Sequence, residues 1–203
     1  MTVKLIGSSS GSVSLQAPAS TSGGANRVLT LPDINSTVDT TGRAGNIVQV
    51  VSTTKTDTAS QASVAAGAKW SNTAFKVTIT PSSASNKLLI FGIASFDTGN
   101  YSQALYLQKD GSDLAAAMGD AAGSRKSTVS QILDADGGAY QQVQHSFQFL
   151  DTAGDTSERY YNLAIGHGRN AAVNIFMNRS STDSDNAQQF RTQSTITVIE
   201  VAA

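Results

Sequence analysis

Apolar and polar residues alternate in short runs along most of the chain, and this alternation predicts strands rather than helices. Within the first 45 residues, Ser-, Gly- and Thr-rich turns separate three such runs, Val3–Ile6, Val13–Gln16 and Arg27–Leu31. A segment of about 45 residues without disulfides or a metal is too small to bury a core of its own. Residues 1–45 are therefore predicted to be an attachment segment that needs a partner chain.

Behind this segment the predicted strands become longer and more apolar, with turn residues between them. They cover Asn46–Thr54, Thr73–Thr80, Lys87–Asp97, Ser102–Lys109, Val129–Leu133, Tyr140–Asp151, Ser157–Gly166, Ala172–Arg179 and Gln193–Ala202. Asp110-Gly111 predicts a hairpin turn, and Asp113–Met118 fits a short strand or a helical turn. Frequent turns and no convincing helix favour an antiparallel β-sandwich, with a jelly roll preferred to an immunoglobulin fold because the Cys…Trp…Cys pattern is absent. The predicted fold is all-β: an intertwined N-terminal β segment, 1–45, and a jelly-roll-like sandwich, 46–203.

The composition argues against several classes of partner. Charged residues make up 14% of the chain and the net charge is −1, so a phosphate-binding surface of clustered cations is not expected. Basic residues are scattered, and Arg125-Lys126 is the only adjacent pair. No apolar run approaches the roughly 18 residues that span a bilayer. We therefore expect neither nucleic-acid binding nor membrane insertion.

Candidate chemistry is sparse. His145 alternates with Phe147 and Phe149 and is interpreted as a packed sheet residue, whereas His167 lies between two glycines and is interpreted as a turn residue. Glu200 alternates with apolar residues, and we expect it to point into one end of the sandwich or to pair across a subunit contact. With no cysteine and no HExxH-like spacing, no metal, cofactor or catalytic residue is predicted, and the protein is expected not to be an enzyme.

Strands that alternate in direction from Asn46 would place four loops at the end of the sandwich opposite the N-terminal segment. These loops carry aromatic and basic residues, which are typical recognition anchors. The predicted contact surface consists of Trp70, Tyr101, Arg125, Tyr140, His167 and Arg169.

Several short motifs resemble those of tail-fibre and related virion proteins of marine and cyanobacterial tailed phages. In the N-terminal segment they are GSSSGSVSLQAP (7–18) and LTLP (29–32). In the larger domain they are VTITP (77–81), SNKL (85–88), FLD (149–151), NRS (178–180) and TITVIE (195–200). Together these motifs run through most of the chain.

The resemblance implies a homotrimeric virion component, assembled in the host cytoplasm, with a particle-proximal segment and a distal β-sandwich. Its expected partners are further copies of itself, another virion protein held by residues 1–45, and a host surface glycan or protein. Leu15, Leu29 and Leu31 are the residues expected to meet across the threefold axis. A tail fibre or receptor-binding protein is the favoured interpretation; a capsid decoration or head-fibre protein, a polysaccharide depolymerase and a lectin-like module remain alternatives.

Overall fold

A computed structural model of the protein describes the strands Thr2–Ile6 and Ser12–Gln16 and the residues 43–99, 101–133 and 142–203. The chain divides into two compact units, Met1–Asp39 and Thr40–Ala203. In the first unit, β1 (Thr2–Ile6) and β2 (Ser12–Gln16) form an antiparallel pair in which Val3 lies opposite Leu15. The first two predicted runs are thus confirmed as strands, and Arg27–Leu31 lies outside the described residues.

The second unit consists of antiparallel strands in two sheets, and its described residues contain no α-helix. Sheet I contains β3 (Ile47–Lys55), β4 (Ala59–Val64), β6 (Lys87–Asp97), β10 (Val143–Thr152), β12 (Val173–Met177) and β13 (Ser194–Val201). Sheet II contains β5 (Lys69–Ile79), β7 (Gln103–Lys109), β8 (Ser112–Asp113), β9 (Ser130–Ile132) and β11 (Arg159–His167). A 3₁₀ turn, Ala115–Ala117, follows β8.

Some pairs of these strands occupy one position in a sheet, so that each pair amounts to one strand with an interruption. One edge of β6 pairs with β10 along its length, so β13 and β12, which pair with β6 at Lys87–Ile93 and at Phe96–Asp97, must share its other edge. On the far side of β13 and β12 lie β3 and β4 in the matching order. In the same way β8 and β9 both pair with β7.

Counted this way, the described residues of this unit form eight strands in two four-stranded sheets. Sheet I has the order β3/β4, β12/β13, β6, β10, and sheet II has the order β5, β11, β7, β8/β9. Consecutive strands alternate between the sheets over much of this order, which is the arrangement of a jelly roll. The prediction of an all-β fold of antiparallel sheets is confirmed.

The two sheets enclose one apolar core, so the second unit is a sandwich. Sheet II contributes Phe75, Val77, Leu105, Leu107, Tyr161 and Leu163, and sheet I contributes Leu88, Ile90, Phe96, Phe147, Ile175, Met177, Ile196 and Val198. Burying an aliphatic or aromatic side chain of this size stabilises the fold by roughly 1.5–3 kcal/mol. The alternation predicted for Val143, His145, Phe147 and Phe149 agrees with the burial along β10.

Three details explain where the strands turn or come close. Asp110 and Gly111 have φ of 51° and 78°, the left-handed pair that a tight hairpin needs, and they connect β7 to β8 as predicted. At Gly92 a Cβ atom would lie 2.0 Å from the carbonyl oxygen of Thr195, so only glycine fits between β6 and β13. The polar residues between the predicted strands Asn46–Thr54 and Thr73–Thr80 were expected to form a loop, which was wrong, because β4 and the start of β5 lie there.

The solvent-facing side of sheet I is unusually poor in charge. Strand register places Val50, Ile199, Leu89 and Leu150 in one row across four strands. Val50 and Leu150 are each 55% exposed, and Phe91 in the next row is 37% exposed. Among the described residues that the register of β3, β13, β6 and β10 puts on this side, the charged ones are Lys87 and Asp97, and Asp97 is buried. We call this side the outer face of sheet I.

Candidate ligand-binding site

The chain enters and leaves the sandwich at the same end, where the backbone N–H of Gly45 donates to the carbonyl of Ala202 (2.8 Å). At the opposite end, which we call the distal end, lie residues 65–68, 98–99, 101–102 and 168–172 of the loops between strands. Residues 114–129, the excursion between β8 and β9, join them there. Together these segments line an open cleft of about 540 Å³, the distal cleft.

The walls of the distal cleft carry three cationic side chains, Arg125, Lys126 and Arg169. The Lys126 ammonium donates to the carbonyl of Gly67, which ties the excursion to the β4–β5 loop. Nε of Arg125 donates to the carbonyl of Ala122 (3.2 Å). Within the described part of the chain none of the three forms an ion pair.

Arg169 is held over an aromatic ring. Its guanidinium carbon lies 4.7 Å from the centroid of the Tyr101 ring, which is within the range of a cation–π interaction. The loops that carry the two residues meet closely, because Gly168 N–H donates to the carbonyl of Ser102 (3.0 Å). A Cβ atom at Gly168 would lie 2.0 Å from Oγ of Ser102, so glycine permits this contact.

His167 is buried beneath the cleft, where it shapes the turn that presents Arg169. Its Nε2 lies 3.0 Å from the carbonyl of Val64, and its Nδ1 lies 3.3 Å from the backbone N–H of Arg169. A carbonyl only accepts and an N–H only donates, so Nε2 donates to Val64 and Nδ1 accepts from Arg169. His167 therefore positions Arg169.

Polar and aromatic groups complete the cleft, among them Ser102, Tyr106, Asp120, Thr128 and Asn170. Burial raises the pKa of Tyr106, and the nearby Asp113 carboxylate adds to this effect. Tyr106 therefore stays a neutral hydroxyl. Asp120 is exposed and supplies the one carboxylate among the described lining residues.

The structure places four of the six predicted contact residues, Tyr101, Arg125, His167 and Arg169, around the distal cleft. Trp70 differs from the prediction: it belongs to β5 and packs edge-on against Phe96, with 6.5 Å between ring centroids. Tyr140 lies outside the described residues. Of the predicted trimer contacts, Leu15 is on β2, and Leu29 and Leu31 lie outside the described residues.

Sequence reasoning missed Lys126 as a site residue. The available signal was its position beside Arg125 in the chain's single adjacent basic pair. An adjacent basic pair does not by itself predict a site, and only the fold shows the Lys126 side chain reaching across to Gly67.

The buried ionisable groups elsewhere are held by structural contacts. Glu200 accepts from Gln49 Nε2 (2.5 Å), Asn86 Nδ2 (2.6 Å), and both the N–H and the hydroxyl of Ser82 (2.8 Å each). Burial alone would raise the pKa of Glu200, but these hydrogen bonds together bring it below its usual value. Glu200 thus points into the sandwich end, the first of the two predicted placements.

His145 is fully enclosed between the sheets. Its Nδ1 lies 2.9 Å from the Ser130 hydroxyl and its Nε2 lies 3.3 Å from Oε1 of Gln103. Burial lowers the pKa of His145 to about 4. Among the described residues there is no group of side chains suited to a metal ion and no helix long and apolar enough to span a membrane.

No protein-family model matches the chain, and no curated protein matches it. Two similar solved chains belong to structures described as infectious bursal disease virus, Gx strain and Gt strain. Their sequence identities to this chain are 15% and 16%, and the TM-scores are 0.39 and 0.36. The similarity covers 98% of this chain but 45% and 46% of the viral chains, so this chain spans less than half of their length. Similarity at these TM-scores supports no argument about function.

Proposed function

We propose that the protein is a non-enzymatic structural component of a phage virion, a tail fibre or receptor-binding protein that contacts the host through its distal cleft. The observation that carries the proposal is the polarity of the sandwich. The chain enters at Gly45, and the cleft with Arg125 and Arg169 lies at the other end. A module attached to a particle through residues 1–45 would present this cleft outward.

The motifs that resemble those of phage tail-fibre and virion proteins support the same proposal, since they run from residue 7 to residue 200. A capsid decoration or head-fibre protein of the same architecture is the alternative. Labelling the protein on intact particles with an antibody separates the two by position. A polysaccharide depolymerase is the second alternative, and release of reducing ends from host polysaccharide would favour it.

We further propose that the protein assembles as a homotrimer and that its copies associate through the outer face of sheet I. A second copy of this chain is the occupant that the face fits best, because side chains near a threefold axis meet their own copies, and Lys87 is the one charged side chain on the described part of this face that is not buried. The row from Val50 to Leu150 supplies apolar area for burial. Contacts of Leu15, Leu29 and Leu31 across the threefold axis remain part of the proposal, as does attachment of residues 1–45 to another virion protein.

Competition for host cells tests the proposed function. Purified protein added to cells before the phage is expected to reduce particle adsorption, because it occupies the same receptors. The R125A/R169A double variant is expected to compete less well. Adsorption that is unchanged by an excess of the purified wild-type protein would contradict the proposal.

A further inference from the structure

We propose that the distal cleft binds an acidic saccharide, with Arg125, Lys126 and Arg169 holding its carboxylate or sulfate groups. The inference rests on the proposed function in so far as it names the ligand class of the same surface. The side chains that line the cleft support this ligand class by themselves, and the test needs no phage particle.

Charge is the first argument. The chain as a whole has a net charge of −1, yet the described lining of the cleft holds three cations against one carboxylate, Asp120. Cations gathered in a cleft concentrate field lines and attract anions more strongly than scattered ones. An anionic ligand is the partner that this local excess favours.

The donors that remain free are the second argument. Arg125 uses Nε on Ala122 and keeps its terminal N–H groups, and Lys126 uses one proton on Gly67 and keeps two. Arg169 lies over the Tyr101 ring, which limits its rotation without occupying its N–H donors. A planar guanidinium held in this way matches a carboxylate or a sulfate with two parallel hydrogen bonds.

The remaining lining explains why a saccharide fits better than a small inorganic anion. Ser102, Thr128 and Asn170 offer neutral donors and acceptors for sugar hydroxyls, and the cleft of about 540 Å³ is open to solvent. A site that encloses a single small anion is smaller and surrounds it more fully. An open cleft with spaced cations and neutral polar groups between them suits an extended chain with repeated charges.

Isothermal titration of the full chain against defined oligosaccharides tests the proposal. The probes are a tetragalacturonate, which is carboxylated, a chondroitin sulfate tetrasaccharide, which is carboxylated and sulfated, and a neutral galactose tetrasaccharide. We expect an acidic probe to bind and the neutral one to bind at least tenfold more weakly. The comparison of the two acidic probes identifies which anion is preferred. Raising the salt from 50 to 500 mM is expected to weaken binding, because screening acts on exposed charges.

Substitutions in the cleft test whether the acidic probe binds there. R169A and R125A are each expected to weaken the acidic probe about tenfold, the loss typical of a charge-assisted hydrogen bond. K76A is the matched control, because Lys76 lies over the Tyr160 ring (4.6 Å) on the outer side of sheet II and its removal changes the net charge equally. Its affinity is expected to equal that of the wild type. R169K is expected to bind more weakly than wild type but better than R169A, since it keeps the positive charge and loses the two parallel N–H donors of the guanidinium.

Four outcomes would overturn the proposal. Three are no binding of either acidic probe, equal affinity for the neutral probe, and loss of binding in K76A but not in R169A. The fourth is tighter binding of a ten-residue oligothymidylate than of the acidic sugars, which would indicate a nucleic-acid site. Failure here is distinct from failure of the proposed function. If the protein blocks particle adsorption but does not bind acidic sugars, the proposed function stands and the ligand is of another class. If it binds acidic sugars without blocking adsorption, the ligand class stands and the proposed role in host attachment fails.

Discussion

Acidification from pH 7.5 to pH 5 is expected to destabilise the sandwich through His145. The side chain is 1% exposed, and neither hydrogen-bonding partner, Ser130 nor Gln103, carries a charge that would stabilise an imidazolium. The third close neighbour is the Phe96 ring, whose centroid lies 6.3 Å away. Burial therefore lowers the pKa of His145 to about 4 in the folded protein.

The magnitude follows from proton linkage. In the unfolded chain the pKa of a histidine is about 6.5, so the unfolded state binds more protons throughout the window between the two pKa values. Folding stability consequently falls as the pH falls through this window. At pH 5 the unfolded histidine is almost fully protonated and the folded one is mostly neutral, and the difference costs about 2 kcal/mol. At pH 7.5 the cost is close to zero.

Urea denaturation followed by tryptophan fluorescence measures this loss. Trp70 is the chain's only tryptophan and packs against the core, so its emission reports unfolding. With a slope of about 2 kcal/mol per molar urea, the wild-type midpoint is expected to fall by about 1 M between pH 7.5 and pH 5. The H145Q variant, which cannot gain the proton, is expected to lose about 1 M less than the wild type over the same range.

The comparison isolates His145, because the two proteins differ at this position alone. Both are measured at one protein concentration, since association would shift the midpoints. Parallel pH dependence in the wild type and H145Q would refute the reasoning, and would mean that the buried ring is hydrated or protonated without cost.

Three further predictions concern separate parts of the sandwich. N178A is expected to lower the free energy of unfolding by about 2–3 kcal/mol, because Asn178 has φ of 59° and donates to the carbonyls of Lys55 and Asp57. N178G should regain only the part of this loss that comes from backbone strain, and equal urea midpoints for N178A and wild type would contradict the prediction. E200Q is expected to cost about 1–3 kcal/mol, because its amide meets donors where Glu200 only accepts; calorimetry showing an unchanged Tm would contradict it. L150K is expected to dissociate the assembly in sedimentation analysis, whereas T78K on sheet II should not; an unchanged mass for L150K would exclude the outer face as the contact.

The strands were predictable wherever one face is buried. Lys87–Asp97 was predicted with the bounds that the structure has, and β7 and β13 were predicted to within one residue at each end. By contrast β4, Ala59–Val64, was missed. Its residues are mostly exposed alanines and serines, and it is a strand because β12 pairs with it. Pairing with a distant segment leaves no periodic signal in such a strand.

The distal cleft was predictable only in part. Direction reversal at each strand was enough to bring Tyr101, Arg125 and Arg169 to one end. The depth of His167 was not predictable, because its burial depends on the carbonyl of Val64, more than a hundred residues earlier in the chain. The position of Trp70 within β5 was missed for a related reason. The strand begins earlier than its alternation indicates, because the register of its pairing with β11 shifts between Asn162 and Ala164.

The interrupted strands of the two sheets separate stability from recognition. The excursion at 114–129 leaves and rejoins the edge of sheet II, where Leu114 N–H donates to Leu107 (2.9 Å) and Val129 N–H donates to Leu105 (2.8 Å). Its ends are therefore fixed by the ladder, while Arg125 and Lys126 lie on the part that makes no strand pairing within either sheet. Substitutions at these two positions remove exposed charge and leave the core contacts intact. Their effect on ligand affinity should accordingly exceed their effect on the free energy of unfolding, which is limited to surface contacts such as the hydrogen bond from Lys126 to Gly67. The opposite is expected at Asn178, whose side chain donates to the carbonyls of Lys55 and Asp57 between the interrupted strands of sheet I.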